Sequence, residues 1–191
     1  LGGPGICYVR TDGEHLTQLW TDGTLTDPNW QDVSPDGRIF SVSCDGPEPM
    51  DGCIHELTIT PEGMKVLSTR STGGKEPCHL TFSEDGRFLL CANYGTGSLA
   101  VFPISPNGIG ERLQLIQHIG HGPHSTRQTG PHLHQITRIP MLPVLLIWDW
   151  TGCLSMSRTR WGCFTSGIAL RFPQGRGRAI WPIIPSMAML F

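Results

Sequence analysis

Five of the eight histidines crowd into one stretch: His118, His121, His124, His132 and His134. His132 and His134 stand two residues apart, so in a strand both side chains leave the same face. An imidazole titrates near neutral pH. It can take a proton from water and, once protonated, donate to a tetrahedral oxyanion. Arg127, a few residues upstream, carries a permanent cation suited to an anionic group. His132, His134 and Arg127 are therefore the candidate catalytic residues: a base, oxyanion donors and an anion anchor. Spacing alone leaves open which histidine is the base.

The same residues admit plainer readings. The histidines could tie loops together by hydrogen bonds. A His-x-His pair can chelate zinc, but no third ligand at a typical spacing stands out, so neither metal nor cofactor is expected. Asn93 and Tyr94 suit turn and packing roles. Cys78 adjoins His79, but a thiol nucleophile also needs an oriented base and oxyanion donors. Gly120-x-Gly122 lacks the strand-loop-helix context of a phosphate loop and reads as a turn.

The elements that must position these groups are strands. Asp27-Pro28-Asn29-Trp30-Gln31-Asp32-Val33-Ser34-Pro35-Asp36-Gly37-Arg38 aligns with Glu76-Pro77-Cys78-His79-Leu80-Thr81-Phe82-Ser83-Glu84-Asp85-Gly86-Arg87. Pro28 and Pro77, and likewise Asp36 and Asp85, are separated by the same 49 residues. Each copy is a short strand, an Asp-Gly turn and a second strand, and Gly takes the positive φ of such a turn without steric cost. Further strand-like runs cover Cys53 to Thr60, Met64 to Thr69 and Ser98 to Ile104. Turns at Thr60 to Gly63 and Ser105 to Gly108 separate them. No stretch keeps a helical period. A repeat of about 50 residues holding about four strands is the mark of a β-propeller. A β-sandwich with a chance duplication is the alternative. Pro131-His132-Leu133-His134 opens a third copy, but its Asp-Gly-Arg turn never arrives.

Composition agrees with an all-β chain: 24 Gly and 16 Pro among 191 residues favour short strands and many turns. The net charge of -2 makes no case for nucleic acid or an anionic membrane as partner. Seven cysteines without CxxC spacing read as reduced thiols, hence a cytoplasmic protein. No signal peptide is visible, and the apolar run from Ile139 to Trp150 is too short to span a bilayer. Leu1 in place of an initiating Met implies that residues precede it. Oligomeric state is not legible.

The averages conceal a break. Only Asp149 among the acids lies beyond Glu111, and from Arg138 onward there are six Arg and no Lys, with four of the six Trp. Trp and Met each have a single codon, which allows the tail to be read in another frame. A one-base shift forces Gly-Leu-Asp over Trp148 to Thr151 and Gly over Met187-Ala188. It permits Asp-Pro-Asp over Arg138 to Met141, where the third copy needs its turn. It also permits Arg-His-Leu-Ala-x-His-Pro over Arg178 to Pro185. These coincidences point to one frameshift near Thr137. Residues 1–137 are then a partial β-propeller, and residues 138–191 an irregular, non-native tail.

A resemblance follows from these residues. Glu76-Pro77-Cys78-His79 through Ala92-Asn93-Tyr94-Gly95-Thr96-Gly97-Ser98 resembles the Pro-x-His…Asn-Tyr…Gly-Ser signature of the lactonase family of seven-bladed β-propellers, the 6-phosphogluconolactonase type. Gly120-His121-Gly122-Pro123 and Arg127-Gln128 followed by Pro131-His132-Leu133-His134-Gln135 resemble its Gly-x-Gly-Pro and Arg-Gln…His-x-His segment. The hidden Asp-Leu-Gly-x-Asp and Arg-His-Leu stretches resemble its next landmarks. In-frame similarity ends near residue 137, after about two and a half blades of four-stranded antiparallel sheet. The resemblance implies a cytosolic, metal-free hydrolase of 6-phosphogluconolactone, a small phosphosugar lactone. Carboxy-cis,cis-muconate cyclases are related propellers. It supports His132 and His134 as site residues, with Arg127 next. Relatives often carry an acid after the strand matching Ile39 to Val42; here Ser43-Cys44 follows. A non-catalytic propeller scaffold and a muconate-type lactonising enzyme are the competing readings. A carboxylate and an Arg reaching the channel from later blades would favour the enzyme.

Overall fold

A computed structural model of the chain describes residues 5–121, 125–126, 128–139, 142–147, 152–158 and 164–171, with side chains through residue 137. Among the described residues every regular element is a strand. A hairpin of β1 (Ile6–Thr11) and β2 (Leu16–Asp22) comes first. The first four-stranded blade is the antiparallel meander β3 (Trp30–Val33), β4 (Ile39–Ser43), β5 (Asp51–Thr60) and β6 (Gly63–Lys75). The second runs β7 (Pro77–Phe82), β8 (Phe88–Asn93) and β9 (Ser98–Ser105), with the short β10 (Gly108–Ile109) folding back on the end of β9. Strand β11 (Gln114–Gln117) completes its outer edge. The third is β12 (Leu133–Ile139), β13 (Leu142–Ile147), β14 (Gly152–Arg158) and β15 (Phe164–Arg171). The innermost strands β3, β7 and β12 lie side by side. This is part of a β-propeller, and segments 28–43 and 77–92 occupy equivalent places in neighbouring blades, as the repeat predicts.

The expectation of an irregular tail is not met where the chain is described. Strands β13 to β15 extend the sheet that β12 begins. An unpaired β12 would leave a row of backbone donors and acceptors without partners. The next apolar run, Leu142–Ile147, supplies the pairing. The boundary placed at residue 137 therefore falls inside β12.

Stacking of blades explains why β8 and β9 read as nearly continuous apolar runs. Phe88, Leu90 and Ala92 of β8, with Leu99 and Val101 of β9, pack on Leu133 and Ile136 of the third blade. The alternate residues Leu89, Cys91, Ala100 and Phe102 pack the other way, on Phe40, Val42 and Ile54 of the first blade. The period of two is preserved, but both faces are buried, so polar alternation disappears. Ile6, Leu25 and Leu57 form a third cluster under the β1–β2 hairpin. Each large side chain in these layers contributes roughly 1.5–3 kcal/mol through burial.

The repeated turns share one design. Gly37 and Gly86 have φ of 85° and 67°, values that a side chain makes costly. The Ser34 hydroxyl donates to Asp36, and the Ser83 hydroxyl donates to Asp85 at 2.7 Å. Backbone bonds from Gly37 to Ser34 and from Gly86 to Ser83, each 2.9 Å, close both turns. Asp27 and Glu76, one repeat apart, both hold positive φ just before a proline. The residues after those prolines reach across to the next blade. The Asn29 amide donates to the Pro77 carbonyl at 3.4 Å. The Cys78 thiol lies 3.4 Å from the Leu133 carbonyl and 3.3 Å from that of His134.

Candidate functional site

The site is built where the three inner strands begin. His132 precedes β12 and His134 lies one residue into it, at a register shift in its pairing with β13. Both imidazoles lie against one partner, Tyr94. The Tyr94 ring lies 4.4 Å from the His132 ring, stacked at 25°, and 5.9 Å from the His134 ring, edge-on at 85°. Tyr94 belongs to the turn between β8 and β9. This turn is held by Asn93, whose amide donates to the Ser98 hydroxyl at 3.1 Å, and by Gln117, whose amide donates to the Thr96 carbonyl at 2.6 Å. The packing and turn roles expected of Asn93 and Tyr94 are what the geometry shows.

The contact between His132 and Tyr94 also resolves a proton. His132 Nδ1 lies 3.0 Å from the Tyr94 carbonyl oxygen. A carbonyl only accepts, so Nδ1 carries the hydrogen and, in the neutral ring, Nε2 carries the lone pair. Sequence spacing could not distinguish the two histidines; this hydrogen bond makes His132 Nε2 a defined proton acceptor.

The other expected residues fall as follows. Arg127 and His124 lie outside the described residues. His121 is exposed. His118 is buried, with its backbone N–H donating to the Gly97 carbonyl at 3.1 Å. Burial pushes its imidazole below the ordinary range. Burial, with the Glu76 carboxylate nearby, pushes the Cys78 thiol up to about 11. Cys78 therefore stays protonated at neutral pH and is no nucleophile.

Three residues at this site escaped the sequence reading: Trp30, Asp32 and His79. The His79 ring lies 4.4 Å from the Trp30 ring across the first blade interface. His79 is buried, and its Nδ1 has no hydrogen-bond partner among the described residues. Burial pushes it down to about 4; repulsion by His134 adds to this, and attraction to Asp32 opposes it. Asp32 from β3, His79 from β7 and His134 from β12 thus share one electrostatic environment. The signal was in the repeat, because Trp30 and His79 occupy the same repeat position and their rings meet between blades.

A second cluster has the composition of a catalytic triad without its wiring. The Ser43 hydroxyl donates to Asp45 at 2.6 Å, and its oxygen lies 2.6 Å from His55 Nε2. Having given its own proton to Asp45, Ser43 accepts from His55 Nε2–H. His55 Nδ1 then accepts from the Thr69 hydroxyl at 2.9 Å. A nucleophilic serine must give its proton to the histidine. Here it points to the carboxylate, and Ser43 and His55 are buried. The network ties β4, β5 and β6 together.

Comparison with known proteins places this arrangement in a family. The chain is 39% identical over 72 residues to 6-phosphogluconolactonase of Bacillus subtilis, an alignment covering 37% of this chain and 20% of that protein. It is 33% identical over 110 residues to an uncharacterised Staphylococcus saprophyticus protein, covering 53% of this chain and 30% of that one. Among solved structures, a candidate 6-phosphogluconolactonase from Bacteroides fragilis superposes with a TM-score of 0.71 at 26% identity, over 82% of this chain and 45% of its own. The periplasmic gluconolactonase of Pseudomonas aeruginosa gives a TM-score of 0.68 at 22% identity, over 78% and 45%, a likeness of fold. The chain thus spans less than a third of these curated relatives and under half of these two structures. The model of the family described as Lactonase, 7-bladed beta-propeller matches residues 3–150, and the chain belongs to that family.

Proposed function

We propose that this chain is the front part of an enzyme that hydrolyses a sugar lactone, 6-phosphogluconolactone to 6-phosphogluconate. The observation that carries the reading is His132, whose tautomer is set by the Tyr94 carbonyl at the inner end of the third blade. Family membership and the likeness to a named 6-phosphogluconolactonase support lactone hydrolysis. In the reaction, His132 Nε2 takes a proton from water as the oxygen attacks the lactone carbonyl carbon. The carbonyl oxygen becomes an oxyanion, and donors are needed where that charge develops. His134 is beside His132 to serve there. Collapse of the intermediate breaks the ring C–O bond, and the imidazolium of His132 returns its proton to the leaving ring oxygen. The product is an open-chain acid with a free hydroxyl. Arg127 is proposed to hold the phosphate.

The test is hydrolysis of freshly generated 6-phosphogluconolactone, followed as 6-phosphogluconate formed. A protein completed through the shifted reading frame is expected to turn over. The 191-residue chain is expected not to, because a propeller site draws residues from several blades. A completed protein that accelerates hydrolysis of no sugar lactone over the uncatalysed rate would reject the reading.

A further inference from the structure

The innermost strand of the first blade presents a large aromatic side chain for which no role has yet been assigned. Trp30 is 42% exposed, although it lies on an inner strand and packs one ring face on buried His79. Trp30 meets His79 across the first blade interface, and Tyr94 meets His132 and His134 at the next. Cys78, next to His79, joins the two groups, its thiol lying 3.3 Å from the His134 carbonyl. Asp32 stands two residues from Trp30 and leaves the same face of β3, since Trp30 pairs with Val42 and Asp32 with Phe40. An open indole face next to a carboxylate has the chemistry of a sugar site. The apolar C–H face of a pyranose ring covers the indole, and the carboxylate accepts from ring hydroxyls.

Resting on the reading of this site as a sugar-lactone site, we infer that Trp30 is its sugar-binding platform, seated on His79, with Asp32 accepting from the sugar hydroxyls. Its open indole face makes Trp30 a determinant of ring recognition rather than of phosphate recognition. A cyclic sugar should engage it, and an open-chain acid or free phosphate should not. His79 acts through Trp30: with its ring buried beneath the indole, it sets the angle of the platform.

The experiment uses the 191-residue chain itself, with NMR of indole Nε1–H and imidazole signals. The probe is glucono-δ-lactam, a ring analogue that water does not open, and gluconate and inorganic phosphate are added separately. Trp30→Phe identifies the Trp30 signal and preserves an aromatic face. The lactam is expected to shift the Trp30 signal together with those of His132 and His134, whereas gluconate and phosphate leave Trp30 unmoved. Trp30→Ala should weaken lactam binding about tenfold, and Trp30→Phe by less. Should Trp30→Ala fail to fold, the wild-type shifts and Trp30→Phe decide the matter. Lactam shifts at His132 and His134 with none at Trp30 would overturn the platform and leave the lactonase reading intact. Equal binding by Trp30→Ala would do the same. No lactam shift at any of these residues would overturn the platform and count against the histidine site as well.

Discussion

His132 donates its Nδ1 proton to the Tyr94 carbonyl oxygen at 3.0 Å while the two rings stack 4.4 Å apart. One neighbour therefore fixes both the tautomer and the plane of the imidazole. The hydrogen bond keeps the Nε2 lone pair aimed in one direction. In the completed enzyme, His132→Ala should lower kcat by roughly 10²-fold or more. His134→Ala should also lower kcat, through loss of an oxyanion donor, by roughly 10²-fold. Nitrogen-resolved NMR should find His132 protonated at Nδ1 when neutral. Normal kinetics in both variants, with unchanged stability, would reduce the pair to loop fasteners. Arg127→Ala should mainly raise KM, as expected for loss of a phosphate contact made equally in ground and transition states.

Gly97 controls how the third blade meets this turn. Its φ is 60°, and an added Cβ would overlap the Pro131 carbonyl oxygen just before His132. Gly37 has a φ of 85° with open space around it. Both alanine variants carry the cost of positive φ, about 1–2 kcal/mol. Gly97→Ala adds an overlap with backbone of about 1–3 kcal/mol. Urea denaturation should therefore show Gly97→Ala as clearly the less stable of the two. Equal midpoints would mean that Pro131 does not hold the place described.

Acid should weaken the fold before its carboxylates titrate. Burial lowers the folded-state values of His55, His79 and His118, with His79 pushed down to about 4. Between that value and the unfolded value of about 6.5, the unfolded chain binds more protons, so stability rises with pH. The contribution is complete above about pH 6.5 and gone once pH has fallen through about 4. For His79 the difference amounts to about 3 kcal/mol at most. Denaturation midpoints measured at pH 7, 6 and 5 should fall in that order, and His79→Gln should flatten the dependence. A midpoint that does not move across this range would contradict the buried neutral state.

The gene offers an independent check. If a one-base shift lies near Thr137, the shifted frame should run open through the rest of the tail and encode Gly-Leu-Asp over Trp148 to Thr151. Stop codons scattered through that frame would end the proposal. Tail residues β13 to β15 pair as strands, and the family match continues to residue 150. The strand pairing does not depend on the frame at each codon, because it needs only donors, acceptors and enough apolar residues.

Much was determined by the sequence alone because the information is local or periodic. The 49-residue repeat, the Asp-Gly turns at Gly37 and Gly86 and the apolar runs of β8 and β9 depend on backbone sterics and on burial, which act within a few residues. They establish strands, turns and blades, and the two-residue spacing singled out His132 and His134 as a pair, although His132 lies just ahead of β12. Which nitrogen bears the proton depended on a carbonyl 38 residues away. That Trp30 covers His79, and that Asp32 and His134 share its environment, depended on the stacking of three separate blades. Such contacts are set by how sheets pack against one another. The spacing of residues along one strand carries no record of the strand that will lie beside it.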